Sequence, residues 1–145
     1  MVMLKERALI IFEEDVMNPD VLKRLRAMIV TQMLPPHRYD GTLTIDEGKI
    51  LFDGKDLLSD ERFRLSIPMD SIRDIHLGFD DLYIGKDSKG KRYQLSPIRL
   101  KYVDDTSRQR MIYIFPEFRG LFRTNSSEEV YRILMNARLK RVSQQ

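Results

Sequence analysis

The residues able to do chemistry are few, and their spacing narrows them further. The chain has two histidines, His37 and His76, and no cysteine, which excludes thiolate ligands, disulfides and a Cys nucleophile. The histidines stand far apart, and no carboxylate near them has the spacing of a helical zinc motif such as H-E-x-x-H. His76 is out of phase with Ile75, Leu77 and Phe79, which reads as a solvated strand position. Asp80-Asp81 and Asp104-Asp105 carry the atoms for acid/base work or cation ligation. Each pair, however, stands between apolar runs, where aspartate is a turn residue. There is no G-x-S-x-G, no phosphate loop and no G-x-G-x-x-G. The expectation is a non-enzyme without a cofactor or a metal site.

Cations are the remaining candidates. Residues 98–145 carry ten basic against five acidic side chains, and the whole chain has a formal charge of +3. The turn Lys86-Asp87-Ser88-Lys89-Gly90-Lys91-Arg92 concentrates four of them. Lys86, Lys89, Lys91 and Arg92, joined by Arg138, Lys140 and Arg141, form the candidate set for binding phosphate or an anionic phospholipid surface. The same cations with Phe118 and Phe122, in the run Phe115-Pro116-Glu117-Phe118-Arg119-Gly120-Leu121-Phe122-Arg123, have the ingredients for stacking on single-stranded nucleic acid. Against both readings, long basic side chains ordinarily form a solvated helix face. Three phenylalanines exposed together would also make a large apolar patch, so Phe118 and Phe122 read first as core.

These side chains must be positioned by elements that the pattern of polarity reveals. With 145 residues and 42% hydrophobic content, the chain fits one ordinary domain. No apolar run approaches the roughly 18 residues of a membrane span. Ala8 to Phe12 reads as a strand, followed by Glu13-Glu14-Asp15 rather than a signal-peptide cleavage site. Asn18-Pro19-Asp20 is a helix start, with Asn at the N-cap and Pro at the first helical position. Val21, Leu22, Leu25, Met28, Ile29 and Gln32 then recur at helical spacing, which predicts a helix over 19–32, with a strand over 27–31 as the alternative, since β-branched residues cluster there. Pro35-Pro36 stops the helix.

From Asp40 the period changes to two. Leu43 and Ile45, Ile50 and Phe52, and then Phe63, Leu65 and Ile67 each alternate with polar residues. So do Ile75, Leu77 and Phe79, then Leu82 and Ile84, Tyr93 and Leu95, and Ile98, Leu100 and Tyr102. Met111 to Phe115 is apolar enough for a central strand. Turns fall at Asp46-Glu47-Gly48, Asp87-Ser88-Lys89-Gly90 and Asp104-Asp105-Thr106-Ser107. This is antiparallel sheet with one dry face. Ser126-Ser127-Glu128-Glu129 is a capping box, and Val130, Ile133, Leu134 and Ala137 follow on one helical stripe. About seven short strands and a closing helix predict a small antiparallel barrel or sandwich. Leu134 should then be buried against the faces carrying Phe63, Leu65, Leu100 or Tyr113.

The run Gly41-Thr-Leu-Thr-Ile-Asp-Glu-Gly-Lys-Ile-Leu-Phe-Asp-Gly54 resembles the opening hairpin of GRAM-like and other pleckstrin-homology-like (PH-like) domains. Phe63-Arg-Leu-Ser-Ile-Pro-Met-Asp-Ser-Ile-Arg-Asp-Ile-His-Leu77 is similar to their next strand, and the helix after Ser126 stands where that family keeps its capping helix. The likeness covers residues 38–140. It implies a mainly β (α+β) domain over 38–145, capped by a helix at about 127–140; residues 1–37, which the likeness leaves unexplained, read from chain length and the Pro35-Pro36 break as an N-terminal strand and helix extension packed on the same domain. The likeness further implies a binding module. In lipid-binding members the first hairpin supplies the phosphate clamp, but here that turn is acidic, Asp46-Glu47-Gly48-Lys49. The expected function is therefore an interaction module for a protein partner or a second copy of the chain, in the cytoplasm. Peripheral attachment to anionic lipid through 86–92 is the alternative, and nucleic-acid binding a further one.

Overall fold

A computed structural model of the chain describes residues 2–28, 35–86, 96–116 and 127–143, the side chains of 84–86 and 141–143 excepted. Its strands are β1 (Val2–Phe12), β2 (Tyr39–Asp46), β3 (Lys49–Asp56), β4 (Arg62–Pro68), β5 (Ile72–Leu77), β6 (Ile98–Val103) and β7 (Gln109–Pro116). Its helices are α1 (Glu13–Val16), α2 (Pro19–Met28), α3 (Asp81–Lys86) and α4 (Ser127–Ser143), with a 3₁₀ turn at Met69–Ser71. The strands form one antiparallel sheet in the order β4-β3-β2-β1-β7-β6-β5. The sheet is not closed, since β4 and β5 lie at its two ends. The mainly β fold with a C-terminal helix is as expected, and the sheet is curled rather than sealed. Phe52 and Ile67 from one half share a buried cluster with Ile72, Ile75 and Leu100 from the other, so the two halves face each other across a common core.

The largest departure from expectation concerns residues 1–37. The strand expected within an extension is the middle strand of the sheet: Ala8, Leu9 and Ile10 pair with β2 on one side and β7 on the other. The reason lies in its composition. Ala8 to Phe12 are all apolar, as a strand buried on both faces requires, and all five are 4% exposed or less. Ala8, Ile10 and Phe12 point into the inner core. Leu9 and Ile11 point the other way, onto Val16, Leu22 and Leu25 of α1 and α2, Tyr83 of α3, and Met111, Tyr113 and Phe115 of β7. The sheet therefore has an apolar layer on each side at its centre. Tyr113, expected near Leu134, belongs to the outer layer.

Local signals behave as their chemistry dictates. Asn18 Oδ1 accepts from the backbone N–H groups of Asp20 and Val21 at 3.1 and 3.3 Å, capping α2. The described part of that helix ends at Met28, and the predicted continuation to residue 32 lies outside the described residues. Asp46 Oδ1 accepts from Gly48 and Lys49 and sets the β2–β3 turn. The expected strand at Leu82–Ile84 is instead α3, because Asp80 Oδ1 accepts the Tyr83 N–H at 2.9 Å and caps a helix. β5 ends at Leu77 rather than Phe79, where Gly78 turns the chain at φ +109°. Ser126, Phe118, Phe122, Tyr93 and Leu95 lie outside the described residues.

Val130, Leu134 and Ala137 of α4 are fully buried in the inner core. Leu134 shares that cluster with Leu100, and Phe63 and Leu65 pack against it. No helix of the described residues is long and apolar enough to cross a membrane.

Candidate functional site

A cleft of about 640 Å³ opens between edge strand β4 and the β6–β7 hairpin. Its floor is apolar and aromatic: Phe12, Tyr39, Phe63, Leu65 and Tyr102 line it, with Arg64 and Ser66 of β4 and Asp104, Asp105 and Arg110 of the hairpin around them. The rings are ordered against one another. Tyr39 stacks on Phe63 at 3.9 Å and 21°, while Phe12 meets Tyr39 edge-on at 5.9 Å and 89°. Such pairs contribute about 0.5–1.5 kcal/mol beyond their buried area. They give the cleft a preformed wall.

Two arginines hold the elements that carry these rings. Arg38 reaches across the turn from α1 to β3: its Nη1 donates to Asp15 Oδ1 at 2.9 Å, and its Nε and Nη2 grip Asp56 at 3.1 and 3.0 Å. Asp15 and Asp56 are buried. Burial pushes the Asp15 carboxyl above its usual range despite the guanidinium. Burial acts on Asp56 in the same direction, yet the bonds from Arg38 and from the Leu58 N–H hold it below that range. Arg38 immediately precedes Tyr39, and its guanidinium lies 5.4 Å from that ring. Arg110, at the cleft wall, lies 4.6 Å over the Phe12 ring and donates to Glu14 of α1 at 2.7 Å.

Tyr39 and Tyr102 are 7% and 3% exposed, and burial pushes both phenols up to about 12. They are therefore neutral hydrogen-bond donors at physiological pH. Among the described residues neither hydroxyl bonds to a protein group, and neither oxygen is sealed from solvent. Both residues line the cleft. Both hydroxyls therefore face the cleft and are able to donate to an acceptor there.

Asp80 organises a second polar cluster on the outer layer. It accepts from the Tyr113 hydroxyl at 2.8 Å and from Arg99 Nη1 at 3.1 Å, while Arg99 Nη2 reaches Asp74 at 3.0 Å. Burial and the neighbouring carboxylate raise the Tyr113 phenol far above its ordinary value, so it donates and does not ionise. Among the described residues the buried Arg99 Nε has no hydrogen-bond partner. The cluster ties α3 to β5, β6 and β7. Asp104 Oδ1, from the other aspartate pair, accepts from Thr106 and Arg108 inside its own turn. Among the described residues no group of three or more His, Asp or Glu side chains is placed to hold a metal ion.

The cations singled out from the sequence are placed as follows. Lys86 is the last residue of α3, with its side chain outside the described residues, and Lys89, Lys91 and Arg92 lie outside them altogether. Lys140 is exposed on α4, and the Arg141 side chain is outside the described residues. Arg138 donates from Nη2 to the Arg73 carbonyl of β5 at 3.0 Å, which ties α4 to the sheet edge. The cleft residues carried no comparable signal in the sequence. Phe63 and Leu65 are visible as one strand face, but only the strand order makes β4 an edge. No protein-family model matches the chain, and no curated protein matches it.

Proposed function

We propose that this chain is a non-enzymatic, PH-like interaction module of the cytoplasm that docks a segment of a partner protein in the aromatic cleft. The open seven-stranded antiparallel sheet with its C-terminal helix supports the resemblance drawn from residues 38–140. The observation that carries the docking role is an aromatic cleft floor onto which the Tyr39 and Tyr102 hydroxyls open, neither bonded to a protein group among the described residues. An apolar pocket with a few convergent polar groups is the ordinary form of a binding site. Backbone carbonyls of a protein segment would satisfy both hydroxyls.

Peptides selected by phage display on the purified chain, followed by ¹⁵N NMR mapping, test this reading. The expected shifts fall at Tyr39, Phe63 to Ser66 and Tyr102 to Asp105, and a Tyr39→Phe/Tyr102→Phe double variant weakens binding while melting like the parent. Vesicles containing anionic lipid and a mixed oligonucleotide pool, both at low salt, are run alongside. If no peptide binds the cleft while anionic vesicles or oligonucleotides bind with a steep salt dependence, the basic set around Lys86 and Lys140 is the site instead.

A further inference from the structure

The cleft does not lie on one face of β4. Phe63, Arg64, Leu65 and Ser66 all line it, and successive side chains of a strand point to opposite faces. A cavity touching four consecutive residues lies along the strand's edge, against its backbone. β4 is terminal in the strand order, so alternate N–H and C=O groups on that edge have no ladder partner among the described residues. The free edge of β4 and the aromatic floor thus share one opening.

We propose that the partner segment enters this opening as an added β-strand on the edge of β4, and that its side chains alternate apolar and acidic. This rests on the docking role proposed above. The apolar half of the alternation follows from Phe63 and Leu65, which turn toward Tyr39 and the inner core. The acidic half follows from the opposite face. There Lys49, Lys55, Arg62 and Arg64 stand exposed on β3 and β4, against Asp53 among them and Asp60, which pairs with Lys55 at 2.5 Å, so cations are still in excess. Arg62 and Arg64 both lean on Asp53, at 2.7 and 3.7 Å, and Arg62 sits directly across from Lys55. Carboxylates on an added strand would flank Arg62 and Arg64 from the side that β3 leaves empty, and directly opposed opposite charges stabilise a strand pair. A second copy of β4 would bring arginines to arginines, and charged edge residues are a device against such self-pairing.

The test uses the full chain and a fluorescein-labelled peptide of about nine residues, roughly 30 Å extended, alternating Glu with Val and Phe. Added strands point alternate N–H groups at the host edge. N-methylation of one alternate set should therefore weaken binding at least about tenfold, roughly 1.4 kcal/mol, while methylation of the other set leaves it unchanged. A Lys-for-Glu peptide should bind weakly to the parent and better to an Arg62→Glu/Arg64→Glu variant, whose melt is checked against the parent. Equal tolerance of both methylation patterns overturns strand addition, and equal affinity for the Lys peptide overturns its acidic half, while the docking role stands if the cleft amides still shift. Absence of binding by the Glu peptide, or a β4-mediated dimer of the free chain, overturns strand addition as well. Display-selected peptides then decide the docking role separately.

Discussion

Replacing Arg38 by Met removes the guanidinium that neutralises two buried carboxylates and keeps most of its volume. The Asp15 and Asp56 side chains are 8% and 12% exposed, and that of Arg38 is 26% exposed. Removing one partner of a fully buried ion pair costs about 3–5 kcal/mol, because the remaining charge stays desolvated. The quarter exposure of Arg38 lets some water return, so the expected loss is at the lower end, about 3 kcal/mol. For a domain of this size that is a fall in Tm of roughly 10 °C. The pH dependence has a defined sign. Asp15 already has a folded-state pKa above its ordinary value through burial, and Arg38 opposes that shift by charge and hydrogen bond. Without Arg38 the folded pKa rises further above the unfolded one. Protonation then favours the folded state, and the deficit shrinks as pH is lowered from about 7 toward about 5. Calorimetric or circular-dichroism melts across that range measure it. Adding Asp15→Asn should recover part of the loss, since it removes the stranded charge. If Arg38→Met melts within about 0.5 kcal/mol of the parent, as a solvated pair would, or if Asp15→Asn deepens the loss by its full independent effect, the buried-clamp reasoning is refuted.

Leu134→Ala, at a fully buried position of α4, should cost about 2–5 kcal/mol, whereas Arg138→Ala should cost about 1 kcal/mol for its bond to the Arg73 carbonyl; urea titration of both variants checks the contrast, and equal losses would count against a packed helix. His37 is 5% exposed and donates from Nδ1 to the Pro35 carbonyl at 2.9 Å, and burial lowers its pKa from 6.5. Its contribution to stability is thus present above about pH 6.5 and is lost as pH falls through the folded pKa, with a slope of up to about 1.4 kcal/mol per pH unit. His37→Gln should flatten that slope in melts, and an unchanged profile would show that the ring is not held neutral. Gly41 and Gly54 face each other across β2 and β3, and a Cβ at Gly54 would lie 2.3 Å from the Asp40 carbonyl oxygen. Gly54→Ala should therefore destabilise strongly by forcing the two backbones apart, and a variant that melts like the parent would contradict the close approach.

Legibility in the sequence followed the range of the interaction concerned. The Asn18 cap, the Asp46 and Asp104 turns and the buried stripe Val130, Leu134, Ala137 are set within one turn or a few residues, and they were readable. Asp80 was half readable: a turn aspartate was expected, but the same carboxylate caps α3 and so converts the expected strand at Leu82 into helix. The place of β1 was not read from the chain because strand order depends on residues a hundred positions apart, such as Ile11 and Tyr113. The one local clue was the absence of polar alternation from Ala8 to Phe12. The cleft was hidden for the same reason. Tyr39 and Tyr102 look like ordinary strand-end tyrosines until β4 is known to be an edge.

The two ends of the sheet are treated differently, and the difference bears on what the cleft is for. An exposed strand edge is a hazard that proteins cover or blunt. At the β5 end, α4 covers the strand, and Arg138 satisfies a backbone carbonyl there. At the β4 end no described element lies over the edge, and protection is left to Arg62, Arg64 and the closing Pro68. Charge of one sign repels copies of itself and attracts its opposite. Under the strand addition proposed above, such an edge disfavours pairing with its own copy and favours an acidic strand. The rigid clamp of Arg38 and the ring stack of Tyr39 on Phe63 hold that opening ready before anything binds, and a preorganised site loses less conformational entropy when its partner arrives.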